Sequence, residues 1–422
     1  MSSHASPEPI SVRYFTRGTK ILFAIMTAGL LVYAYRLIAG IGAVTNLNDQ
    51  YPWGIWIAID VASGVALAAG GFTTAALVEI FHRKKYHVLL RPALLTAMLG
   101  YTFVVIGLLA DLGRYYNVWH PMLPSMWQGN SVLFEVGICV MIYLTVLYIE
   151  FLPILVRRFR GRVRLPGPLG GMNGAVEALL SAADRTLGRV LWVFILAGVV
   201  LSCLHQSSLG TLMVIAPTKM HPLWYTPISP LLFLLSAIAV GFPMVIFESV
   251  LAARSFRLKP EIEVLSSVAR AIPALLGVYL AFKIGDITLR GAWGHVAAFT
   301  PHTFAWLAEI LLGVVLPMLL FSSRRVRSSA GGLLGAAALV VFGVALNRIN
   351  VFLVAYRPLY ADRPYFPSVF EIALTVGLIA ALVLVYRAMV MVFPVIAREP
   401  ETVREQAVED ESLPKIRLVK SR

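Results

Sequence analysis

The stretch NSVLFEVGICVMIYLTVLYIEFLPILV, residues 130–156, is long and apolar enough to cross a membrane as one helix. It nevertheless carries two carboxyl groups, those of Glu135 and Glu150. Their spacing corresponds to about 22 Å along a helix axis, and a rotation of about 60° leaves them on the same side. A carboxylate within hydrocarbon costs about 2.5 kcal/mol or more and usually marks a functional site. The pair therefore suggests a way to move protons.

Apolar stretches of this kind recur along the whole chain of 422 residues, of which 59% are hydrophobic and 14% are charged. Soluble domains carry about 25% charged residues. The composition therefore predicts an all-α, polytopic membrane helix bundle. Ten membrane spans are predicted, at residues 20–43, 54–81, 91–112, 130–156, 187–207, 228–253, 265–285, 301–322, 329–349 and 367–396.

Most of the 36 Lys and Arg residues fall in the two end regions and in every second loop. The positive-inside rule predicts that this side is cytoplasmic, so both termini are expected inside. The net charge of +14 then belongs to membrane loops, and no nucleic acid partner is expected. The opposite side holds every tryptophan except Trp192 and has long loops rich in Pro, Tyr and His. Such loops suit either a docked partner or a lipid-interface rim.

A Pro- and Gly-rich stretch, RLPGPLGGMN at residues 164–173, interrupts the apolar pattern. We read it as a hinge and predict five regions. They are a cytoplasmic N-terminal tail (1–19), a first four-helix transmembrane bundle (20–156), a basic cytoplasmic hinge (157–186), a six-helix transmembrane region (187–396) and a cytoplasmic tail (397–422). The alternating charges of the last region predict disorder.

The acidic residues of the spans fall into an outer and an inner set. Asp60 and Glu135 lie near the outer ends of their spans, as does His205, and the three are predicted to converge on one polar pocket. Glu79, Glu150 and Glu248 lie near the cytoplasmic ends. For Glu79 and Glu150, solvation or pairing with Arg83 or Arg157 is the alternative to a functional role. The spacings of Asp111 with Arg114 and of Lys283 with Asp286 favour pairs on a helix surface.

Metal and haem sites are not expected in this chain. Its two cysteines, Cys139 and Cys203, lie in apolar segments, and no CxxC or CxxCH motif occurs. This pattern argues against an Fe–S cluster and a covalently attached haem. A haem held within a helix bundle normally takes histidines from facing helices. Only His205 lies clearly within a span, so we predict that no haem is bound.

Six blocks, taken together, carry a resemblance to a known family. They are NLNDQYPWGIWIAID (46–60), RPALLTAMLGY (91–101), DLGRYYNVW (111–119), NSVLFEVGICVMIY (130–143), LHQSSLGTLM (204–213) and HPLWY (221–225). In this order they resemble the integral membrane subunits of hydrogenase-2-type [NiFe] hydrogenases, which belong to the NrfD-like family with the polysulfide reductase membrane subunit. The resemblance covers about residues 20–395.

The resemblance implies a haem-free, quinone-reactive subunit in the bacterial inner membrane. Such a subunit exchanges electrons between a periplasmic ferredoxin-like Fe–S subunit and the quinone pool, which holds menaquinone or ubiquinone. The large and small [NiFe] hydrogenase subunits are the implied catalytic partners, and proton translocation is expected to accompany quinone chemistry. The active site for the primary substrate is not complete in this chain.

The implied quinone chemistry and the outer polar residues point to the same place. Asp60, Glu135 and His205 are expected to bind the quinone head group and exchange protons with it. Three residues are predicted at the mouth of this pocket: Trp53, Asn48 and Arg114. Glu150, Glu79 or Glu248 would admit protons from the cytoplasm, and Glu135 would deliver them.

Other functions remain open. The chain can be the membrane subunit of a sulfur, polysulfide or other NrfD-like complex. A proton-coupled secondary transporter also uses buried acids, and a passive membrane anchor needs no chemistry at all. Co-purification of an Fe–S partner with bound quinone would separate the first possibilities from the last two.

Overall fold

The computed structural model describes residues 6–361 and 363–398. Within these ranges, ten helices are long and apolar enough to cross a membrane, which confirms the predicted all-α, polytopic bundle. Most of the tail predicted at 397–422 lies outside the described residues. The helices are α1 (Arg17–Ala39), α2 (Trp56–Ile80), α3 (Lys84–Asp111), α4 (Val132–Phe159), α5 (Gly170–Thr211), α6 (Ser229–Phe256), α7 (Ile262–Leu289), α8 (Pro301–Ser322), α9 (Ala330–Val354) and α10 (Val369–Val392).

Consecutive spans end on opposite sides of the bundle. We name the side with loops 113–129, 212–228 and 355–368 the tryptophan face. The opposite side, with loops 81–83 and 160–169, is the basic face. Two short strands, β1 (Ser6–Pro7) and β2 (Ala397–Arg398), pair antiparallel and join the two described ends of the chain.

Hydroxyl side chains fix where several spans begin. The side chains of Thr16, Thr300 and Ser368 each accept a hydrogen bond from the backbone N–H three residues later. In return, the backbone N–H of each donates to the side chain of that later residue. Such capping boxes satisfy backbone groups that have no partner within the helix. They therefore set the starts of α1, α8 and α10.

Three of the spans contain π-helical turns. These turns are Trp56–Ser63 and Ala76–Ile80 in α2, Leu311–Val315 in α8 and Asn350–Val354 in α9. Local π-helical turns occur frequently at functional sites. The first of them contains Asp60, so the predicted site residue lies in an irregular part of its span.

Helix packing joins the two ends of the chain. α1 packs against α10, and Gly29 and Gly377 mark a point where the two backbones leave no room for a side chain. α4 packs against α5, and residues 173–186 of the predicted hinge are helical as part of α5. The packing thus crosses the predicted boundary between 20–156 and 187–396, and that division stays a prediction.

The contact between α1 and α10 can be tested with one methyl group. A Cβ atom at position 377 would lie 2.6 Å from Gly29 Cα. We expect Gly377→Ala to lower the free energy of unfolding by about 1–3 kcal/mol, because the two helices must move apart. Gly137→Ala in α4 is the control, since a Cβ there meets no atom within 4 Å. Equal melting temperatures of the two purified variants would contradict the close approach.

Candidate functional site

A cavity of about 480 Å³ lies at the tryptophan face. We name it the tyrosine pocket, because Tyr51, Tyr356 and Tyr365 lie in its wall together with His302 and Arg357. The ring of Tyr51 stacks on Tyr365 with 6.2 Å between centroids and meets Tyr356 edge-on at 6.0 Å. An aromatic cavity with a few polar groups suits a flat, ring-shaped ligand.

Glu371 is buried directly behind the tyrosine pocket. Its side chain has no exposed surface, and Tyr365 Oη donates a hydrogen bond of 2.5 Å to Glu371 Oε1. The other carboxyl oxygen accepts bonds from the backbone N–H groups of Asn46 (3.0 Å) and Ser368 (2.8 Å). Burial, together with the bond to Glu371, raises the pKa of Tyr365 well above its usual value. The phenol therefore keeps its proton and connects the pocket to a buried carboxyl group.

Asp60 lies one helical turn from this contact. Thr375, which follows Glu371 by one turn on α10, donates a hydrogen bond of 2.6 Å to Asp60 Oδ2. Asp111, at the end of α3, interacts electrostatically with both Glu371 and Asp60. We name Asp60, Asp111 and Glu371 the acid cluster. Three spans or their ends therefore bring carboxyl groups and hydroxyls together behind one wall of the pocket.

Arg36 supplies positive charge beside the acid cluster. Its side chain is buried and interacts with Asp111. It also donates to the backbone carbonyl oxygens of Ala110 (2.5 Å) and Leu112. The predicted pairing partner of Asp111, Arg114, is exposed instead. The positive charge that acts on Asp111 therefore comes from the buried Arg36 of α1 and not from the surface pair expected from sequence spacing.

Three histidines lie together on the other side of the tyrosine pocket. The ring of His302 stacks on His221 at 4.5 Å, and His295 meets His221 edge-on at 5.6 Å. Arg357 Nη2 lies 3.5 Å from His302 Nδ1. Burial, with a smaller contribution from His302, His295 and Arg357, lowers the pKa of His221 to about 4. His221 is therefore neutral near pH 7 and presents an imidazole that can accept or donate a hydrogen bond.

A second polar group lies deep within the bundle. His205 Nδ1 is 3.2 Å from Tyr101 Oη, and the rings of Tyr101 and Tyr143 meet edge-to-face with 4.6 Å between centroids. Ser202 on α5 lies beside both phenols. Among the described residues, Ser202 Oγ and His205 Nε2 are buried without a hydrogen-bond partner of normal geometry. We name these four residues the central cluster, and its unpaired atoms are suitable binding points for water.

Glu79 and Glu150 share a cavity of about 180 Å³ at the basic face. Glu150 rests against α5, because a Cβ added at Gly198 would lie 2.4 Å from Glu150 Oε1. Tyr143 of the central cluster precedes Glu150 by two turns of α4, which is about 10 Å. Two of the three predicted inner acids are thus together, and Glu248 lines a separate cavity.

The predicted outer residues do not gather in one place. Asp60 packs against Gly107, and His205 contacts Tyr101, which is about 9 Å away along α3. Glu135 lies on the exposed side of α4.

Trp53 and Asn48 lie near the rim of the tyrosine pocket. Trp53 is partly buried, with 6.5 Å between its ring and that of Tyr356. Asn48 Oδ1 accepts bonds of 2.9 Å from the N–H groups of Gln50 and Tyr51 and so shapes the loop. Roles for these residues in quinone binding stay predictions.

The predicted surface pair of Lys283 and Asp286 is wrong. Lys283 is buried, and its Nζ lies 3.3 Å from Glu309 Oε1. Asp286 pairs with Arg290 at 2.6 Å, one turn further along α7. Three more side chains donate to Glu309, at 2.7 to 3.0 Å: Trp224, Asn347 and Asn350. Sequence spacing on one helix cannot reveal this arrangement, since its members come from α7, α8, α9 and a loop.

Sequence reasoning misses Tyr365, Glu371, Tyr101 and Tyr143. Glu371 completes an S-x-x-E pattern with Ser368, which indicates a helix cap and hides a second role. Tyrosines within apolar spans are more often packing residues than sites. The one sequence signal for this site was Glu371 itself, an acidic residue in the first turn of a span.

Known proteins are similar to this chain along nearly its whole length. The family model described as Polysulphide reductase, NrfD matches residues 43–359. The chain is 30% identical to the probable Ni/Fe-hydrogenase 2 b-type cytochrome subunit of Escherichia coli K12, over 92% of this chain and 95% of that protein. It is 39% identical to a protein of Nitratidesulfovibrio vulgaris, over 92% and 96% of the two chains. The integral membrane subunit of menaquinone reductase from the same organism is 24% identical, over 94% and 96%.

The buried pair of Lys283 and Glu309 predicts a measurable cost of removing one partner. We expect Lys283→Met to lower the free energy of unfolding by about 3–5 kcal/mol, because Glu309 is left as an unpaired buried carboxylate. The double variant Lys283→Met/Glu309→Gln removes both charges and should regain most of that loss. Denaturant or thermal unfolding of the purified variants measures the difference. A double variant no more stable than Lys283→Met would refute the pairing.

Proposed function

We propose that this chain, which belongs to the polysulphide reductase NrfD family, is the quinone-reactive membrane subunit of a respiratory oxidoreductase. The observation that carries this proposal is the tyrosine pocket with the acid cluster directly behind it. Two similar proteins are named as a hydrogenase 2 subunit and a menaquinone reductase subunit, which supports the same substrate class. A [NiFe] hydrogenase is the proposed catalytic partner, and a sulfur, polysulfide or other complex of the family is the alternative.

The tyrosine pocket has the properties that a quinone head group requires. Its aromatic walls can pack against the ring, and His302, Arg357 and Tyr365 can bind the carbonyl oxygens. Reduction of a quinone takes up two electrons and two protons. As the electrons arrive, Tyr365 can give its phenolic proton to a ring oxygen. Glu371, to which Tyr365 is already hydrogen-bonded, then takes up a proton by way of the acid cluster and returns it to the phenolate. The second proton follows by the same route. A carboxyl group in hydrogen-bond contact suits this role in proton transfer.

The electrons are proposed to arrive from outside the membrane. The pocket lies at the tryptophan face, which the distribution of Lys and Arg predicts to be periplasmic. A ferredoxin-like Fe–S subunit docked on this face would come close to the quinone. The bacterial inner membrane is the location that fits this arrangement, with menaquinone or ubiquinone as the substrate.

We propose that the chain performs this chemistry without haem. Among the described residues, the ring next to His205 is that of Tyr101, while His221, His295 and His302 lie together at the tryptophan face. A haem in the bundle normally takes axial ligands from facing helices at one depth. The arrangement of these four histidines does not fit that geometry. His4 lies outside the described residues.

The polar groups also support a proposed path for protons across the bundle. It begins at the cavity of Glu79 and Glu150, continues through the central cluster and reaches Asp60 and the acid cluster. The two gaps in this path are each about 10 Å, as measured along α4 and α3. Water must fill them, and the unpaired buried atoms of Ser202 and His205 are placed to bind it.

The role of the pocket is tested by removing one hydroxyl group. We expect Tyr365→Phe to reduce quinone reduction by a factor of about 10² or more, because the proton donor to the ring oxygen is lost. Tyr360→Phe is the matched control, since that side chain is 84% exposed in the same loop. Reduction of a soluble quinone analogue by the intact purified complex is measured, and assembly is checked by co-purification. Normal turnover in Tyr365→Phe would exclude the proposed role.

The path is tested separately from quinone chemistry. We expect Tyr143→Phe and Glu150→Gln to abolish proton uptake from the basic face. Electron transfer continues with protons taken from the water at the tryptophan face, where the pocket lies. Tyr148→Phe is the control, because Tyr148 is exposed on the same helix and bonds Thr102 rather than the central cluster. Proton movement is followed with a pH-sensitive dye in proteoliposomes. Undiminished proton movement in both variants would remove the central cluster from the path.

A further inference from the structure

A cavity of about 340 Å³ lies near the basic face, between α1, α6 and α10. We name it the arginine cleft, and Thr16, Leu251, Ser255, Val383 and Arg387 lie in its wall. Leu251 and Val383 are 41% and 44% exposed on the outside of spanning helices. Apolar side chains exposed at this depth face lipid, so the cleft is open to the bilayer. The proposed quinone chemistry uses none of these residues.

Arg387 is the polar group that distinguishes the cleft from a simple packing defect. Its side chain is only 6% exposed. Its terminal nitrogens donate to Ser255 Oγ at 3.1 Å and to the carbonyl oxygen of Arg13 at 2.7 Å, and neither acceptor is charged. Its Nε has no hydrogen-bond partner in the described part of the chain. The ring of Phe256, 5.1 Å from the guanidinium carbon, also contacts the cation but carries no net charge. A buried guanidinium whose contacts are all uncharged favours an anion nearby.

The first turn of α1 lies at the same end of the cleft. Thr16 and Gly18 belong to its wall, and α1 is a helix of 23 residues that begins there. The N-terminus of such a helix carries partial positive charge. Its first backbone N–H groups have no partners inside the helix, and the capping box of Thr16 occupies that of Thr19. Arg13, Arg17 and Lys20 add positive charge around this turn. The helix end and the buried guanidinium thus favour the same kind of ligand.

The depth of Arg387 in the membrane indicates the source of that ligand. Arg387 lies five residues before the end of α10, about 8 Å below the end of the helix and near the level of lipid phosphates. Below it, the wall of the cleft is apolar over Leu22, Phe247 and Leu251, which suits an acyl chain. Basic pockets between membrane helices on the cytoplasmic side are known to bind anionic lipid head groups.

We propose that the arginine cleft binds a phospholipid with an anionic head group. The phosphate lies against Arg387 and the first turn of α1, and one acyl chain runs along α6 and α10. Thr96, Glu248 and Tyr386 line the deeper part of the cleft, where Thr96 and Tyr386 each interact with the carboxyl group of Glu248. Glu248 is two turns below Ser255 on α6, about 10 Å, so its carboxyl group does not contact the phosphate.

Native mass spectrometry of the full-length protein, isolated with its bound subunits and then mildly delipidated, tests the proposal. The probes are dioleoylphosphatidylglycerol, dioleoylphosphatidylcholine and inorganic phosphate. We expect phosphatidylglycerol to bind more tightly than phosphatidylcholine, and Arg387→Gln to weaken it by about fivefold or more. Arg254→Gln is the control, because Arg254 is an exposed arginine of α6 outside the cleft, and it should bind normally.

A second variant keeps the proposal testable should Arg387→Gln fail to fold. Leu251→Trp fills the apolar part of the cleft without touching Arg387, and it should also lower the occupancy of phosphatidylglycerol. Unchanged occupancy in the folded variants, or equal loss in Arg254→Gln, would overturn the proposal. Displacement of the lipid by an equal concentration of inorganic phosphate would assign the site to free phosphate and overturn it as well.

Discussion

A charged group enclosed in hydrocarbon must find its partners within the protein, and this requirement organises the whole bundle. Glu309 meets it with a lysine and three hydrogen-bond donors from three separate segments. Arg348 meets it with Ser236, Asn347 and the face of the Phe233 ring, 3.7 Å away. Each solution needs side chains from several spans at one depth. The polar residues therefore fix the relative heights of helices that apolar packing alone would let slide.

The same requirement separates two kinds of buried acid. Glu309 is surrounded by donors and carries an ion pair, which suits a permanent structural charge. Asp60 has one hydroxyl partner, and Glu150 rests against a glycine beside a cavity. Acids with few partners and nearby space are better suited to gaining and losing a proton. The sequence predicts Glu135 and Glu150 on one side of α4, but in the structure Glu150 lies against α5 and Glu135 is exposed.

The sequence was sufficient for the architecture because each span signals itself through its own hydropathy. Ten predicted spans correspond to ten helices, with ends that differ mainly where α5 extends into the predicted hinge. The functional pockets depend on contacts between distant segments, and these leave no local pattern. Asp60 was identified because it interrupts an apolar run. Its partner Thr375 could not be identified, since a threonine in an apolar helix signals nothing and lies more than 300 residues away. Glu371 was not identified for a different reason. It does stand out in the sequence, but its helix-capping pattern with Ser368 already explained its presence.

The close contact between Gly29 and Gly377 has a consequence for how the protein is made. Roughly 350 residues separate the two glycines, so α1 leaves the ribosome long before α10 exists. At about 5–20 residues per second, this interval is on the order of 20 to 70 seconds. Throughout it, Asp60 lacks its partner Thr375, and the wall behind the tyrosine pocket lacks Glu371. The acid cluster and the wall behind the tyrosine pocket therefore cannot be complete until α10 has been synthesised.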